Sequence, residues 1–249
     1  MLFAENTPNN AGVKIYGDFM DFENLYESLH EVVGEEGDYP AYQGGQLRVL
    51  GVCYDIRHAI MGDREFHFVD NGLDQDKMRR TSMITSDKNL YMSFYVYWPE
   101  VLFVNMVLND FTHIYAAQKT NKAYNRLTHK NTIWDSTIAQ VRMFQAAIAK
   151  VIKSSVSESS YARVIGLMNS DYNDMAHFTT QYLDLLNIKF LKMDKEKRQK
   201  NITVMIKRLA EKGKEYQDVK REVEEAAREY KCSTEDIRLK VEYPEDIDW

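Results

Sequence analysis

The spacing of apolar positions changes along the chain, from mixed strand and helix periods to helix periods alone. In Leu90–Trp98 every second residue is apolar, which is the period of a strand that buries one face. Shorter stretches at Val13–Tyr16 and Arg64–Val69 also predict strands, and Ile237–Tyr243 keeps a strict period of two. We therefore expect these four segments to form a small, mostly antiparallel sheet, which the end of the chain rejoins as a strand.

Helical periods link the strands and then fill the second half of the chain. Asp18 or Asp21 can cap a helix that ends near Val33. Three further helices of the first half are predicted over residues 46–61, 74–83 and 99–118. Near the end of the chain, two charged helices with thin apolar stripes are predicted at about 196–212 and 214–231. The predicted fold class is α+β and predominantly helical, with the second and fourth helices packed on the sheet and a C-terminal helical bundle.

We expect three parts that fold as one unit. They are an α+β part over residues 1–120, a helical bundle over 121–232, and the returning strand within 233–249. The 249 residues are 44% hydrophobic and 28% charged, which suits one large core with a polar surface. The first residues carry an acid and no basic segment, and no apolar run is long enough to cross a bilayer. We therefore expect a cytoplasmic protein with no membrane partner.

Charge and motifs exclude several classes of protein. The net charge of −6 argues against general nucleic-acid binding, and two basic stretches, Lys119–Lys130 and Lys192–Lys200, are interpreted as solvated faces. The chain lacks the G-x-S-x-G, H-E-x-x-H, P-loop and G-x-G-x-x-G motifs. Its two cysteines have no zinc spacing, and Cys53 lies in an apolar segment that predicts a core residue.

Four of the six histidines follow an acid by three residues, a spacing that places both side chains on one face of a helix. The pairs are Glu27 with His30, Asp55 with His58, Asp110 with His113, and Asp174 with His177. The first and last pairs fall away from the apolar stripes of their helices, so we expect them at the surface. The other two lie on helices that are apolar nearly all round.

These two apolar helices carry polar groups that are expected to be buried. On the helix at 46–61, Arg57 projects among apolar residues and would need a partner, because a buried unpaired guanidinium is strongly destabilising. On the helix at 99–118, Asn105, Asn109 and His113 recur every four residues. This polar stripe either lines a cleft or satisfies buried groups.

Two interpretations of the central acid–histidine pairs follow. Asp55, His58, Asp110 and His113 could converge as candidate catalytic residues, binding a divalent transition metal or supplying a general acid and base. Alternatively, they belong to a buried hydrogen-bond network that fixes the two helices, with Arg57, Asn105 and Asn109 as its structural members. Such networks are common in natural cores, so we favour the second interpretation, with no metal or cofactor.

Two stretches, GVKIYGDFMDFENLYESLHEVVG near the start and RVLGVCYDIRHAIMGDRE further on, resemble an uncharacterised family of small cytoplasmic bacterial proteins. The resemblance covers about the first hundred residues and implies a bacterial, cytoplasmic setting without an activity. We expect a non-catalytic protein-interaction or assembly subunit of a bacterial complex, such as a stress or phage-defence complex, with a protein partner or a homo-oligomer. The alternative is a metal-dependent hydrolase or oxidase with an Asp/His site between the two apolar helices.

Overall fold

The computed structural model describes residues 1–120, 124–169 and 175–249, and its sheet has four antiparallel strands. They are β1 (Phe3–Asn6), β2 (Gly12–Gly17), β3 (Glu65–Asp70) and β4 (Lys88–Tyr97). Their order across the sheet is β1-β2-β4-β3, so β1 and β3 are the two edge strands. Ile15 faces Phe94 across the central pair, and Phe66 faces Met92 at the β3 edge. A small antiparallel sheet is present as predicted, and β2, β3 and β4 correspond to three of its four predicted strands.

The described part of the chain has nine α-helices. They are α1 (Phe19–Val33), α2 (Gln43–Ile60), α3 (Gln75–Thr81), α4 (Trp98–Thr120), α5 (Ser136–Ser155), α6 (Glu158–Met168), α7 (Thr180–Leu191), α8 (Lys195–Glu211) and α9 (Lys214–Tyr230). Of these, α1, α2, α4 and α5 pack on the sheet. Asp18 caps α1 through a capping box with Asp21, as its sequence signature predicts. The predicted α+β, predominantly helical fold class is confirmed.

The helix α4 is the centre of the core. It packs against α1, α2, α5, α7 and α8 and against strands β2 and β4. Trp98, Phe103 and Phe111 are fully buried along its length. A helix that is apolar on all sides is stable only when other elements cover every side, which explains this central position.

The charged helices α8 and α9 use their apolar stripes within the chain. Ile202, Met205, Ile206 and Leu209 of α8 are fully buried, and Tyr216 and Val223 of α9 are nearly so. These stripes therefore complete the core and are not available as an oligomer contact.

The last segment differs from the sequence prediction. Residues 237–249 have no regular secondary structure, so the predicted strand at Ile237–Tyr243 is wrong, and β1 takes a place at the sheet edge instead. The segment still returns to the sheet, through side chains: the rings of Tyr243 and Trp249 stack on Tyr97 with centroids 5.9 and 5.2 Å away. Its backbone bonds to loops and a helix, since Asn9 N–H donates to the Trp249 carbonyl and Arg198 Nη1 to that of Asp248.

Candidate functional clefts

Helix α2 buries a different face from the one expected. Its buried side chains include Val49, Val52, Cys53, Ile56 and Ala59. Arg57 is exposed, and its guanidinium lies 5.7 Å from the ring centroid of Tyr54. The prediction that Arg57 is buried is therefore wrong. A helix with apolar residues all round offers two possible arcs, and packing selected the one rich in β-branched residues.

The acid and histidine of α2 make short local contacts at the end of the helix. Asp55 Oδ1 accepts a hydrogen bond from Arg64 Nη2 at 2.9 Å. His58 Nδ1 lies 2.9 Å from Asp63 Oδ2, and its ring packs at a tilt against Tyr54 with centroids 4.2 Å apart. Both side chains are half-buried. These contacts join α2 to the start of β3.

The acid–histidine pair of α4 lies elsewhere. Asp110 and His113 line a cleft of about 630 Å³ together with Asn109, whereas Asp55 lines a separate cleft. Within the described ranges, no three His, Cys, Asp or Glu side chains come together in a way that could hold a metal ion. The structure therefore does not bring the four residues together, as the less favoured metal or acid–base interpretation required. The helices pack side by side, but Asp55 of α2 lines one cleft, whereas Asp110 and His113 of α4 line the other.

The first and last of the four acid–histidine pairs were predicted to lie at the surface. Glu27 is exposed and His30 is half-buried, with its ring against Tyr26 and its pKa lowered by burial. His177 is exposed, and Asp174 lies outside the described residues.

We call the cleft beside Asp110 the α4 cleft. Its walls come from α4, α5, the end of α6, and the segments near residues 42 and 126, and the residues that line it include Met106, Asn109, His113, Arg126, Arg142 and Asn169. Asn105 lies deeper: its side chain is buried, its carbonyl accepts from Gln145 Nε2 at 2.8 Å, and its Oδ1 has no partner in the described part of the chain. Asn109 is half-buried at the cleft wall.

Arg142 of α5 is a half-buried cation that lines the α4 cleft. Its Nη1 donates to Asn109 Oδ1 at 2.5 Å and to Gln145 Oε1 at 2.7 Å. Both acceptors are neutral amides, and no carboxylate forms a salt bridge with this guanidinium among the described residues. Partial burial lowers the pKa of Arg142, because no acid compensates the lost hydration.

The second cleft, which we call the aromatic cleft, has a volume of about 690 Å³. It lies between α2, β4, α7 and the C-terminal segment, whose Tyr243 and Trp249 form one wall. Arg48 is held there by Asp184 at 2.9 Å and Glu100 at 3.4 Å. This cation therefore has its counter-charges within the chain.

Further hydrogen bonds complete this ionic network. Asn187 Nδ2 donates to Glu100 Oε2 at 2.8 Å, and the Tyr243 hydroxyl donates to Asp184 Oδ1 at 3.0 Å. Burial raises the pKa of Glu100, although Arg48 and the Asn187 amide oppose that rise. Burial also raises the pKa of Tyr243, and the Asp184 carboxylate adds to the effect. The network is suited to fixing α2, α4, α7 and the C-terminal segment together.

Sequence reasoning missed both arginines, Arg48 and Arg142. Their partners lie between 3 and 136 residues away, so no local motif marks either site. One signal was present: Glu100 is an acid in the first turn of an otherwise apolar helix, and such a residue needs a cation nearby.

The fold and the clefts define a predominantly helical α+β protein, in which α4 lines one polar cleft with α5 and α6, and α2, β4 and α7 line another. The chain belongs to the family described as Domain of unknown function (DUF6904), whose model matches residues 2–249. The match is to an uncharacterised family, as the resemblance implied, and it extends over nearly the whole chain. No curated protein and no solved structure matches the chain significantly. In the ranges that the structure covers, every helix is too short or too polar to span a bilayer.

Proposed function

We propose that this chain is a non-catalytic protein-interaction subunit that assembles with a second copy of itself through an exposed β-arm. The arm comprises residues 61–90, from the end of α2 through β3 and α3 to the start of β4. The setting we propose for it is a bacterial cytoplasmic complex, such as a stress or phage-defence complex. The observation that carries the proposal is the apolar surface of this arm.

The arm contributes nothing to the core. None of its thirty residues is buried, although it contains a complete strand, a helix and several large apolar side chains. Among these, Phe66 is 51% exposed, Phe68 is 73% exposed and Leu90 is 48% exposed. Met61, Met83 and Ile84 are exposed as well. Exposed apolar side chains that cluster in this way are typical of interaction sites.

Three of these side chains form a continuous row on one face of the sheet. Phe68 faces Leu90 across the β3–β4 pair, and Phe66 faces Met92. Facing residues share a face, so this row continues the apolar face that the helices cover further along β4. The helical layer ends at about Met92, and the row beyond it remains open to a partner.

The partner that best fits this edge is a second copy of the chain. In the described residues β3 pairs only with β4, so its outer edge offers free backbone donors and acceptors. Facing residues of antiparallel strands lie on the same face of the sheet. Two identical strands can therefore pair in an antiparallel way only about a two-fold axis at which one residue faces its own copy. An axis at His67 places Phe66 opposite Phe68 twice and Arg64 opposite Asp70 twice. This register joins aromatic pairs and opposite charges, both of which stabilise strand pairing.

No observation favours the metal-dependent alternative to the same degree. It depended on Asp55, His58, Asp110 and His113 meeting in one pocket, and their contacts lie in two separate places. The interaction hypothesis requires only surface features, which the arm has.

Sedimentation velocity over a range of concentrations tests the proposal. We expect the wild-type chain to dimerise, and Phe68→Glu to weaken the dimer by at least about 100-fold, because two apolar contacts per dimer are lost. Phe19→Glu is the matched control, since Phe19 is also half-exposed but lies on α1. It should dimerise like the wild type.

A wild-type chain that stays monomeric at all concentrations would contradict the self-assembly proposal. The chain alone could stay monomeric while a different protein binds it, with Phe68→Glu abolishing that binding. This result would confirm the arm as an interaction site but contradict a second copy of the chain as its partner. Equal loss of dimer in Phe68→Glu and Phe19→Glu would exclude the arm.

A further inference from the structure

Only one nitrogen of the Arg142 guanidinium donates hydrogen bonds to described residues. Its Nη1 donates to Asn109 Oδ1 and Gln145 Oε1, which uses both hydrogens of that nitrogen. Nε and Nη2 have no hydrogen-bond partner among the described residues, and neither is a buried atom. Three N–H donors therefore remain available on an arginine that lines the α4 cleft.

This open edge has a specific chemistry. The Nε and Nη2 side of a guanidinium presents two parallel N–H donors, which match two oxygens of a carboxylate or a phosphate. Gln145 Nε2 also donates to Asn109 Oδ1 at 3.1 Å, and Asn109 Nδ2 donates to Asn169 Oδ1 at 3.1 Å. This chain of amides holds the acceptors of Arg142 in place, so the orientation of the guanidinium is fixed before a ligand arrives.

The surroundings favour an anion that carries an apolar part. Arg126 is exposed, lines the α4 cleft and forms no salt bridge within the described ranges, while His113 lines the cleft from α4. Among the described residues that line this cleft, Asp110 is the one carboxylate, and the Met175 N–H donates to its Oδ2 at 3.3 Å. Apolar side chains complete the wall, namely Met106, Ile114, Ala117 and Met168.

We propose that the α4 cleft binds a small molecule through a carboxylate or phosphate group that pairs with the Nε and Nη2 edge of Arg142. A half-buried cation without a counter-charge reduces stability, so it is better explained as part of a binding site than as part of the scaffold. The volume of about 630 Å³ is suited to a metabolite-sized ligand. This site is independent of the β-arm and of the proposed self-assembly.

Titration with two simple probes, inorganic phosphate and acetate, tests the site at constant ionic strength. Heteronuclear NMR follows the Arg142 Nε–H signal and the side-chain amides of Asn109 and Gln145, which report on this guanidinium directly. We expect saturable shifts with at least one probe and a Kd on the order of 1 to 10 mM, as suits a single charged group without the rest of its ligand. The probe that binds more tightly identifies the class of oxyanion.

Three variants locate the binding. Arg142→Gln should weaken it by about tenfold or more, and Arg142→Lys should weaken it less, because lysine keeps the charge but loses the two parallel donors. Arg163→Gln is the matched control, since Arg163 is an exposed arginine on α6 outside the cleft. It should bind like the wild type.

Three results would overturn the proposal. One is the absence of saturable shifts with both probes in the wild-type chain. Another is unchanged binding in a folded Arg142→Gln variant. The third is an equal loss in Arg163→Gln, which would show only general charge attraction. If Arg142→Gln does not fold, the comparison of Arg142→Lys with the wild type decides, because a purely structural arginine would not alter probe affinity.

Discussion

Strand β4 passes through two regions that share one sequence pattern and differ in their cover. In the body of the protein, Phe94 is fully buried, and Val96 and Met92 are 6% and 5% exposed. Only two residues before Met92, in the arm, Leu90 is half-exposed although it continues the same alternation. Helices cover the apolar face in the body, whereas in the arm the face and the edge of β3 remain open.

This difference shows that the alternation of apolar and polar residues in a strand determines which side chains share a face, but not which elements cover that face. Phe22 of α1 packs on Phe94 with ring centroids 5.5 Å apart. On the arm, Phe66 and Phe68 stay 51% and 73% exposed, and none of residues 61–90 is buried. A second copy of the chain would complete the cover that the chain's own helices lack.

The largest predicted difference between the regions concerns aromatic truncation. Phe103→Ala in the body should lower the free energy of unfolding by about 3–5 kcal/mol, because it leaves a cavity in the core. Phe68→Ala in the arm should change the stability of the monomer by no more than about 0.5 kcal/mol. Urea unfolding at low protein concentration measures both. Similar losses in the two variants would show that the arm is part of the folded core.

A second pair of variants compares ionic contacts. Arg48→Met should cost about 3–5 kcal/mol at neutral pH, because it leaves Glu100 buried without its cation. Arg64→Gln, at the root of the arm, should cost about 0–1 kcal/mol, since its ion pair with Asp55 is a third exposed. Urea unfolding again provides the measurement, and a larger loss from Arg64→Gln would contradict the comparison.

The cost of Arg48→Met should depend on pH in a definite direction. Burial raises the folded-state pKa of Glu100 above its ordinary value of 4.5, and removal of Arg48 raises this pKa further. A carboxyl group with a raised pKa takes up a proton on folding, so stability falls as pH rises through the interval between the two values. The loss should therefore be smallest in acid and grow towards neutral pH. A loss that grows as pH falls would contradict the role of Glu100.

The smallest predicted effect concerns the reactivity of single thiols in the body and in the arm. Burial raises the pKa of Cys53 to about 12, so a thiol reagent at pH 8 should modify exposed Cys232 and leave Cys53 unmodified until the protein unfolds. A cysteine placed in the arm, Met83→Cys, should react as rapidly as Cys232. Rapid modification of Cys53 in the folded protein would show that the body opens locally.

The sequence was sufficient for the fold class and for the central place of α4, because periodicity and an all-apolar surface are local properties. The sequence was insufficient to predict which face of α2 is buried. Arg57 was predicted to be buried, but two faces of this helix are apolar enough to pack, and the other face does so. The strand predicted at Ile237–Tyr243 failed for a related reason: alternation was present, but the sheet edges belong to β1 and β3.

The clefts depended on contacts that no local pattern encodes. The stripe of Asn109 and His113 indicated a polar wall on α4, and these residues do line a cleft. The arginine that faces them, Arg142, belongs to α5 and had no local signal. Likewise, Asp55 and Asp110 could be assigned to helices from sequence, but whether their helices turned them towards each other depended on packing.

The most direct test of self-assembly through the arm is disulfide cross-linking at the proposed two-fold axis. In a Cys232→Ser background, His67→Cys should form a covalent dimer on mild oxidation, because facing Cα atoms of paired strands lie within about 5.5 Å. Val69→Cys should not, since its counterpart in the partner would lie four residues away along the strand. Failure of His67→Cys to cross-link, or equally rapid cross-linking of Val69→Cys, would contradict the proposed pairing of β3 edges.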